Sequence, residues 1–569
     1  MGDVTPSPSI VSGGNTDLPY IVEETVLGDP RRLKVVCIGA GASGLDLAYK
    51  LNKHLRSFEF HVYEKNAGLG GTWLENTYPG CACDIPAHIY EYEWAPNPHW
   101  SQFYASGPEI LQYFRDTAKN FDLEKYIKLQ HEVVEARWNE EDGLWMLKIY
   151  DGSTGAIVED QCHFLVNGGG FLNNWKWPNI QGIDSFQGTL LHSAAWDQDS
   201  NLKDKRVAVI GNGSSGIQLV TALQPVAGNM ITFIRSPTWI STTLGQEFAG
   251  PNGANFNYTK ERIEEFLDHP GKLLEYRKAM ENDLNGGFRS ALFDSPEQAL
   301  ARKTLREMMR ARLGDHHELA DRITPDFGVG CRRPTPGVGY LEALTEKNVR
   351  VVFESIKKIV PQGIELDSGE IVELDAIACA TGFDVSWKPR FPVIGRGGID
   401  LREQWSQRPT AYLSLAVPNF PNYILYMGPN GPLSHGSAIP SIEHLTKYVI
   451  KLLHKVQTER YKAVVPSQQA LDDFIQHADT FLARTVWNAK CRSWLKGGKE
   501  DGPALVHPGS RLHWFHALMT PRWEDWEWTS SNQNRFAYFG NGFSTMEGEG
   551  RDKSWYFGNP DQGYESIIY

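Results

Sequence analysis

Apolar positions along the chain fall into short runs separated by glycine turns, and one arrangement of them occurs twice. Leu33-Lys-Val-Val-Cys-Ile38 is an apolar run followed by Gly39-Ala-Gly41-Ala-Ser43-Gly44, a helix-like Leu45–Leu51 and a second run, Phe58–Tyr63. Strand, glycine turn, helix and strand within about thirty residues form one nucleotide-binding unit. The pattern returns at Arg206–Ile210, followed by Gly211-Asn212-Gly213-Ser214-Ser215-Gly216, Ile217–Leu223 as helix and Met230–Ile234 as strand. Two such units predict an α/β chain with two Rossmann-like dinucleotide-binding domains.

Trp145–Tyr150 and Phe164–Val166 read as strands that close the first unit. Residues 240–325 change texture, becoming charged and helical in period. Ser295 offers an N-cap, Pro296 a first helical residue and Gln298 a reciprocal partner. Leu305, Met308, Met309 and Leu313 supply an apolar face and Gly314 a stop. The expected organisation is an N-terminal arm (1–32), a first nucleotide domain (33–185), and a second (186–375) with a helical insertion over about 240–330. Residues 376–569 then return to the first domain and add a substrate or lid region. The arm is rich in Pro, Gly and Ser with an apolar patch at Tyr20–Val22, and is expected to lie loosely over the body. Seven of the eighteen tryptophans follow residue 480, so the tail is neither polar nor disordered.

Composition narrows the class. At 569 residues the chain is too long for one hydrophobic core. Hydrophobic residues at 41% and charged residues at 22% exclude wholesale disorder and collagen-like structure. A net charge of −13 repels phosphate backbones, so neither nucleic acid nor an anionic membrane is an expected partner. The seven cysteines (Cys37, Cys81, Cys83, Cys162, Cys331, Cys379 and Cys491) are thinly spread, with no zinc spacing and no disulfide framework. A reducing compartment is expected. Neither a signal peptide nor a run of ~18 apolar residues is present, which suggests a cytosolic protein without membrane insertion.

Each glycine motif has a physical task. The first two glycines permit a tight turn and close approach of a pyrophosphate, and the third lets helix and strand pack. The phosphates face free N–H groups at a helix start, favoured by roughly 0.3–1 kcal/mol. Glu64, twenty residues after Gly44, is placed to accept hydrogen bonds from ribose hydroxyls, which suits FAD. Arg235, nineteen residues after Gly216 and flanked by Ile234 and Ser236, suits a 2′-phosphate, hence NADPH. A solvated surface arginine is the plain alternative.

Five ordered motifs resemble those of Baeyer–Villiger monooxygenases, the class B FAD/NADPH flavoproteins, in their fungal secondary-metabolite branch. Gly70-Gly71-Thr72-Trp73-Leu74-Glu75-Asn-Thr-Tyr78-Pro79-Gly80-Cys81-Ala82-Cys83-Asp84 follows the family's long glycine–tryptophan pattern. Phe186-Gln-Gly188-Thr-Leu-Leu-His192-Ser-Ala-Ala-Trp196-Asp197 follows its fingerprint. Cys331-Arg332-Arg333-Pro334 with Pro336–Ala343, Ala380-Thr381-Gly382-Phe383-Asp384 and Gly540-Asn-Gly-Phe-Ser544 complete the set.

The resemblance implies that NADPH reduces FAD, that the reduced flavin activates O2, and that a ketone becomes an ester or lactone. Arg333 matches the catalytic arginine, Asp84 the aspartate that orients it, and Arg332 a residue that helps hold the 2′-phosphate. A fixed guanidinium suits negative charge developing on oxygen in a water-poor pocket. By resemblance Thr72, Trp73, Leu74, Glu75, Asp84, Ile85 and Tyr90 join Gly39, Gly41, Ser43, Gly44 and Glu64 around FAD. Ala82 and Cys83 approach the nicotinamide. Gly211, Asn212, Gly213, Ser214, Ser215, Gly216 and Ile217 hold NADPH with Ile234, Arg235, Ser236 and Arg332. His192 and Asp197 are expected to couple the two domains and not to move protons. Cys491–Gly498 is similar to a mobile loop that closes over coenzyme and substrate, with an ordinary buried Trp494 as the alternative. No metal is expected.

Three rival functions share parts of this pattern. A flavin N- or S-hydroxylase would use the same fold, but Asp84 and Asp197 argue against it. A disulfide reductase needs a reactive cysteine pair, for which Cys81-x-Cys83 is poorly spaced. A binding scaffold would carry no flavin. The branch implies a largely apolar ketone of polyketide or terpenoid type.

Overall fold

Two five-stranded parallel sheets carry the two glycine-turn units. The computed structural model describes residues 20–433, 436–554 and 557; the first nineteen residues of the expected arm and the end of the C-terminal region lie outside them. In the first sheet the strand order is Tyr423–Leu425, Phe164–Asn167, Leu33–Ile38, Phe58–Tyr63 and Ile127–Lys128. The second runs Val349–Val352, Asn229–Phe233, Arg206–Ile210, Ala376–Cys379 and Thr189–His192. These strands are near-continuous apolar runs because helices and loops cover both faces. The fold is α/β with two Rossmann-like units.

Two expected strand placements change. Leu144–Asp151 does not close the first parallel sheet. It pairs with His131–Asn139 and Ala156–Cys162 in a separate antiparallel sheet, which Val393–Ile394 extends. Its burial alternates residue by residue, the period of a strand with one covered face. Ala376–Cys379, buried throughout, belongs to the second sheet, so the chain leaves that sheet beyond residue 379 and not at 375.

The helical insertion is divided between two cores. Lys260–Asp268 and Pro270–Gly286 send Phe266, Leu273 and Met280 into the first unit's core, whereas Leu305, Met309 and Leu313 of Pro296–Leu313 pack in the second. The Ser295 hydroxyl caps this last helix by accepting from the Gln298 N–H at 3.0 Å, and Gly314 ends it with φ 56°. Gln298 does not reach back to Ser295 as expected; its amide donates to the Val329 carbonyl and accepts from the Val329 N–H. A buried amide is better satisfied by that two-bond clasp than by a single capping bond.

The cysteine reading also changes. Cys331 and Cys491, 160 residues apart, form a disulfide with their Cα atoms 6.4 Å apart. Chain folding and not local spacing brings them together, so no motif announces the pair. The described part of the arm is tied down: Leu27 donates to Phe543 and accepts from Thr545, and Asn541 donates to Thr25. Among the described residues, no helix is long and apolar enough to cross a membrane.

His88 joins the insertion to the first core. It is fully buried against the rings of Tyr258, Phe266 and Tyr276, and neither ring nitrogen has a hydrogen-bond partner. Burial, with the nearby Arg277 and Arg262 charges, pushes it down to about 3. The unfolded chain therefore takes up this proton first as pH falls from about 6.5, and the folded state loses roughly 1.4 kcal/mol per pH unit until about 3. Thermal melts at pH 7 and pH 5 should show a smaller loss of Tm for His88→Phe than for the parent protein. An unchanged difference would exclude His88 from the acid sensitivity.

Candidate active site

Both glycine turns use the same sterics. Gly39 and Gly211 adopt φ +97° and +113°. A β-carbon on Gly44 would lie 2.2 Å from the Gly39 carbonyl oxygen, and one on Gly216 only 2.0 Å from that of Gly211. Each third glycine therefore lets a helix sit directly on its turn. The helices that follow, Ala42–His54 and Ser214–Leu223, start at Gly41 and Gly213 with no side-chain cap. Their first N–H groups remain free for anionic oxygens, as a pyrophosphate requires. A β-carbon on Gly213 would meet nothing within 4 Å, so the approach is open.

A cavity of about 510 Å³ begins at the first turn. Gly39, Gly41 and Ser43 form one end with Glu64; Thr72, Trp73, Glu75, Ala82 and Tyr90 continue the wall. Ser215, from the second unit, reaches the same cavity, which therefore lies where the two units meet. Glu64 is buried, with one carboxylate oxygen accepting from the Ala40 N–H at 2.8 Å and the other from the Asn66 N–H at 2.9 Å. A fixed carboxylate at one end, an uncapped helix and a long apolar wall suit the adenosine, pyrophosphate and ring of FAD.

Other wall residues carried weaker sequence signals. Gly168-Gly169-Gly170 and Phe171 follow directly on the strand Phe164–Asn167, and that glycine run was visible. Trp387, Met427 and Ser437–Ile439 come from the returning chain. Ser437 caps the 21-residue helix Ala438–Thr458, whose N-terminus faces the cavity and adds positive potential.

Arg333 and Asp84 meet across 249 residues. The guanidinium donates two hydrogen bonds, Nη1 to Oδ2 at 2.5 Å and Nη2 to Oδ1 at 2.9 Å. The Asp84 charge holds Arg333 above its ordinary range, so it stays protonated. Neither residue is part of the cavity wall. Both adjoin it beside Tyr90, whose hydroxyl accepts from Trp73 Nε1 at 3.2 Å and feels the Arg333 charge. Leu74, Cys83 and Ile85 also lie outside the wall, the latter two packed in the first core.

The loop bearing Asp84 leans on the second unit. Gln218 accepts from the Tyr78 hydroxyl at 2.6 Å and donates to the Ala82 carbonyl at 3.0 Å. Gly80, at φ +81°, sits where a β-carbon would come within 3.0 Å of Ala222. Cys81 and Cys83 are separate thiols; burial pushes Cys81 up to about 11 and Cys83 higher. Thiols so held are poor nucleophiles, which removes the basis for a disulfide reductase.

Around the second turn, Asn212 donates to the Ser236 carbonyl at 2.8 Å, Ser214 pairs with Thr335, and Arg332 donates to the Pro237 carbonyl at 3.0 Å. Ile217 and Ile234 are buried in the second core, so only their backbones can meet a ligand. Burial and the charges of Arg235 and Arg492 push Arg332 down. Arg492, next to a cysteine of the disulfide, was not singled out by the sequence. His192 accepts from the Ala194 N–H at Nδ1, contacts Thr381 through Nε2 and stacks on Trp175; burial lowers it to about 4, so it stays neutral. Asp197 caps its own turn through Asp199 and Ser200. Trp494 is half-buried, stacked on Phe171 of the cavity wall at 5.5 Å.

Residues 37–106 match the family described as NAD(P)-binding Rossmann-like domain. The chain is 41% identical over 527 residues to the FAD-binding monooxygenase tazF of Aspergillus terreus, spanning 91% of this chain and 93% of that protein. It is 33% identical over 484 residues to a Baeyer–Villiger monooxygenase of Pseudomonas aeruginosa, spanning 84% and 88%. Cyclohexanone monooxygenase from Rhodococcus sp. Phi1, crystallised with NADP+, shares the fold with a TM-score of 0.76 at 26% identity, over 88% of this chain and 100% of that one. With two nucleotide units meeting at one cavity and relatives matched over nearly their whole length, the chain belongs to the FAD-binding monooxygenases, in the group that includes the Baeyer–Villiger enzymes.

Proposed function

We propose that the protein uses NADPH and O2 to insert one oxygen atom beside the carbonyl of a largely apolar ketone, giving an ester or lactone. FAD, reduced by NADPH, supplies the activated oxygen. The observation that carries this reading is the Arg333–Asp84 pair beside a cavity shaped for a flavin nucleotide. Its resemblance to the fungal branch at Cys331–Ala343 and Gly540–Ser544 supports a polyketide- or terpenoid-like substrate in secondary metabolism.

The roles of the side chains follow from their charges and partners. Asp84 engages both terminal nitrogens of Arg333, which sets the plane of the guanidinium and keeps it charged. Arg333 then stabilises negative charge on oxygen, including the oxyanion that develops on the substrate carbonyl, without reorganising. Trp73 and Tyr90, hydrogen-bonded to each other, keep the adjoining wall apolar and exclude water. Gln218 keeps the Ala82 segment in place against the second unit.

In Arg333→Ala, NADPH should still bleach the flavin absorbance while ester yield falls about 10²–10³-fold. Ester formation at the parent rate would remove Arg333 from the chemistry. With 18O2, the product from a ketone panel should carry one labelled oxygen. A protein that oxidises thioethers but no ketone in that panel would instead be an N- or S-hydroxylase. Arg235→Ala should weaken NADPH selectively and narrow its preference over NADH by about tenfold, read from steady-state kinetics with each coenzyme.

A further inference from the structure

Three arginines from three separate stretches share one corner of the second nucleotide unit. Arg235 ends the strand Asn229–Phe233 region, Arg332 follows Cys331, and Arg492 follows Cys491. Among the described residues, none of the three lies within ion-pair distance of a carboxylate. Arg332 spends one nitrogen on the Pro237 carbonyl, and Arg492 donates only Nε, to the Gly498 carbonyl at 3.0 Å. Their charges act on one another: burial, then Arg492, push Arg235 down, and Arg332 is lowered by burial and by both neighbours.

Like charges gathered without a counter-ion repel, although solvent screens them here because Arg235 and Arg492 are exposed and Arg332 is half-buried. Here covalent and packing constraints hold them together. The disulfide joins the residues immediately before Arg332 and Arg492. Beyond it, buried Lys496 donates to the Ala489 carbonyl at 2.6 Å, and Trp494 stacks on Phe171 at the cavity. One end of the loop is thus tied to the arginine segment and the other rests on the flavin cavity. A multiply charged anion is the ligand that such a corner lacks.

We propose that Arg492 completes, with Arg235 and Arg332, the seat for the 2′-phosphate of the coenzyme, and that the Cys331–Cys491 bridge keeps it there. This rests on the reading of the second unit as the NADPH site. The loop whose Trp494 rests on the cavity wall then carries its own contact with that phosphate, one that NADH cannot make.

Equilibrium binding to the FAD-loaded protein tests the proposal without turnover. Titrations with NADP+, NAD+ and adenosine 2′,5′-bisphosphate should show Arg492→Ala raising the Kd for the two 2′-phosphorylated ligands about tenfold, with NAD+ unchanged. Arg492→Lys should recover most of the loss, and an unaltered Tm would separate binding from folding. Cys491→Ser should shift the NADP+ Kd in the same direction, and Arg492→Ala added to it should cost less than in the parent. If Arg235→Ala collapses the preference for NADP+ while Arg492→Ala leaves it intact, the third arginine falls and the coenzyme reading stands. A parent protein with no preference for NADP+ would overturn both. An unchanged Kd in Cys491→Ser would remove the tether.

Discussion

The doubly hydrogen-bonded contact between Arg333 and Asp84 is the constraint on which the arrangement of the molecule turns. Asp84 belongs to the first unit, in the loop beyond the short helix Thr72–Glu75, and Arg333 to the segment that returns from the helical insertion. Either charge alone would be costly at the edge of the cavity, where both side chains are largely but not wholly removed from water, because an unpaired ion loses solvation there without compensation. Pairing them satisfies both charges and docks one unit on the other. Gln218, bonded to Tyr78 and Ala82, and Gln198, bonded to the Thr77 carbonyl, extend that contact with neutral hydrogen bonds.

The parts of this arrangement that were legible in the sequence are those fixed by local sterics. Gly39, Gly44, Gly211 and Gly216 announce themselves because a φ near +100°, or a contact near 2 Å to a β-carbon, is open to glycine alone. Glu64 and Arg235 could be put forward as nucleotide contacts from their distance along the chain to those glycines, and Glu64 does bond the first turn through the Ala40 N–H. Ser295 and Gly314 marked the ends of a helix correctly because caps are local too.

What was not legible depends on residues far apart. Cys331 and Cys491 had no spacing to betray them, and the nearness of Arg492 to Arg332 follows only from that bond. Gln298 found two backbone partners thirty-one residues away in place of its nearby cap. The alternating strand Leu144–Asp151 carried its own signal of one-sided burial, but which sheet it joins is decided by His131–Asn139 and Ala156–Cys162. The cavity wall from Trp387 to Ile439 depends on a chain that comes back after more than two hundred residues, so its members look like ordinary loop residues until the fold is complete.

The division of the insertion between two cores has a mechanical corollary. Phe266, Leu273 and Met280 are anchored with the first unit, and Leu305, Met309 and Leu313 with the second. A swing of one unit against the other cannot carry the insertion along as cargo. The connector from Gly286 to Ser295 is itself fastened to a third body of side chains: Ala291 packs with Val486 and Trp487, and Leu292 bridges Thr485. The insertion therefore laces the two units to each other at three places and not at one hinge.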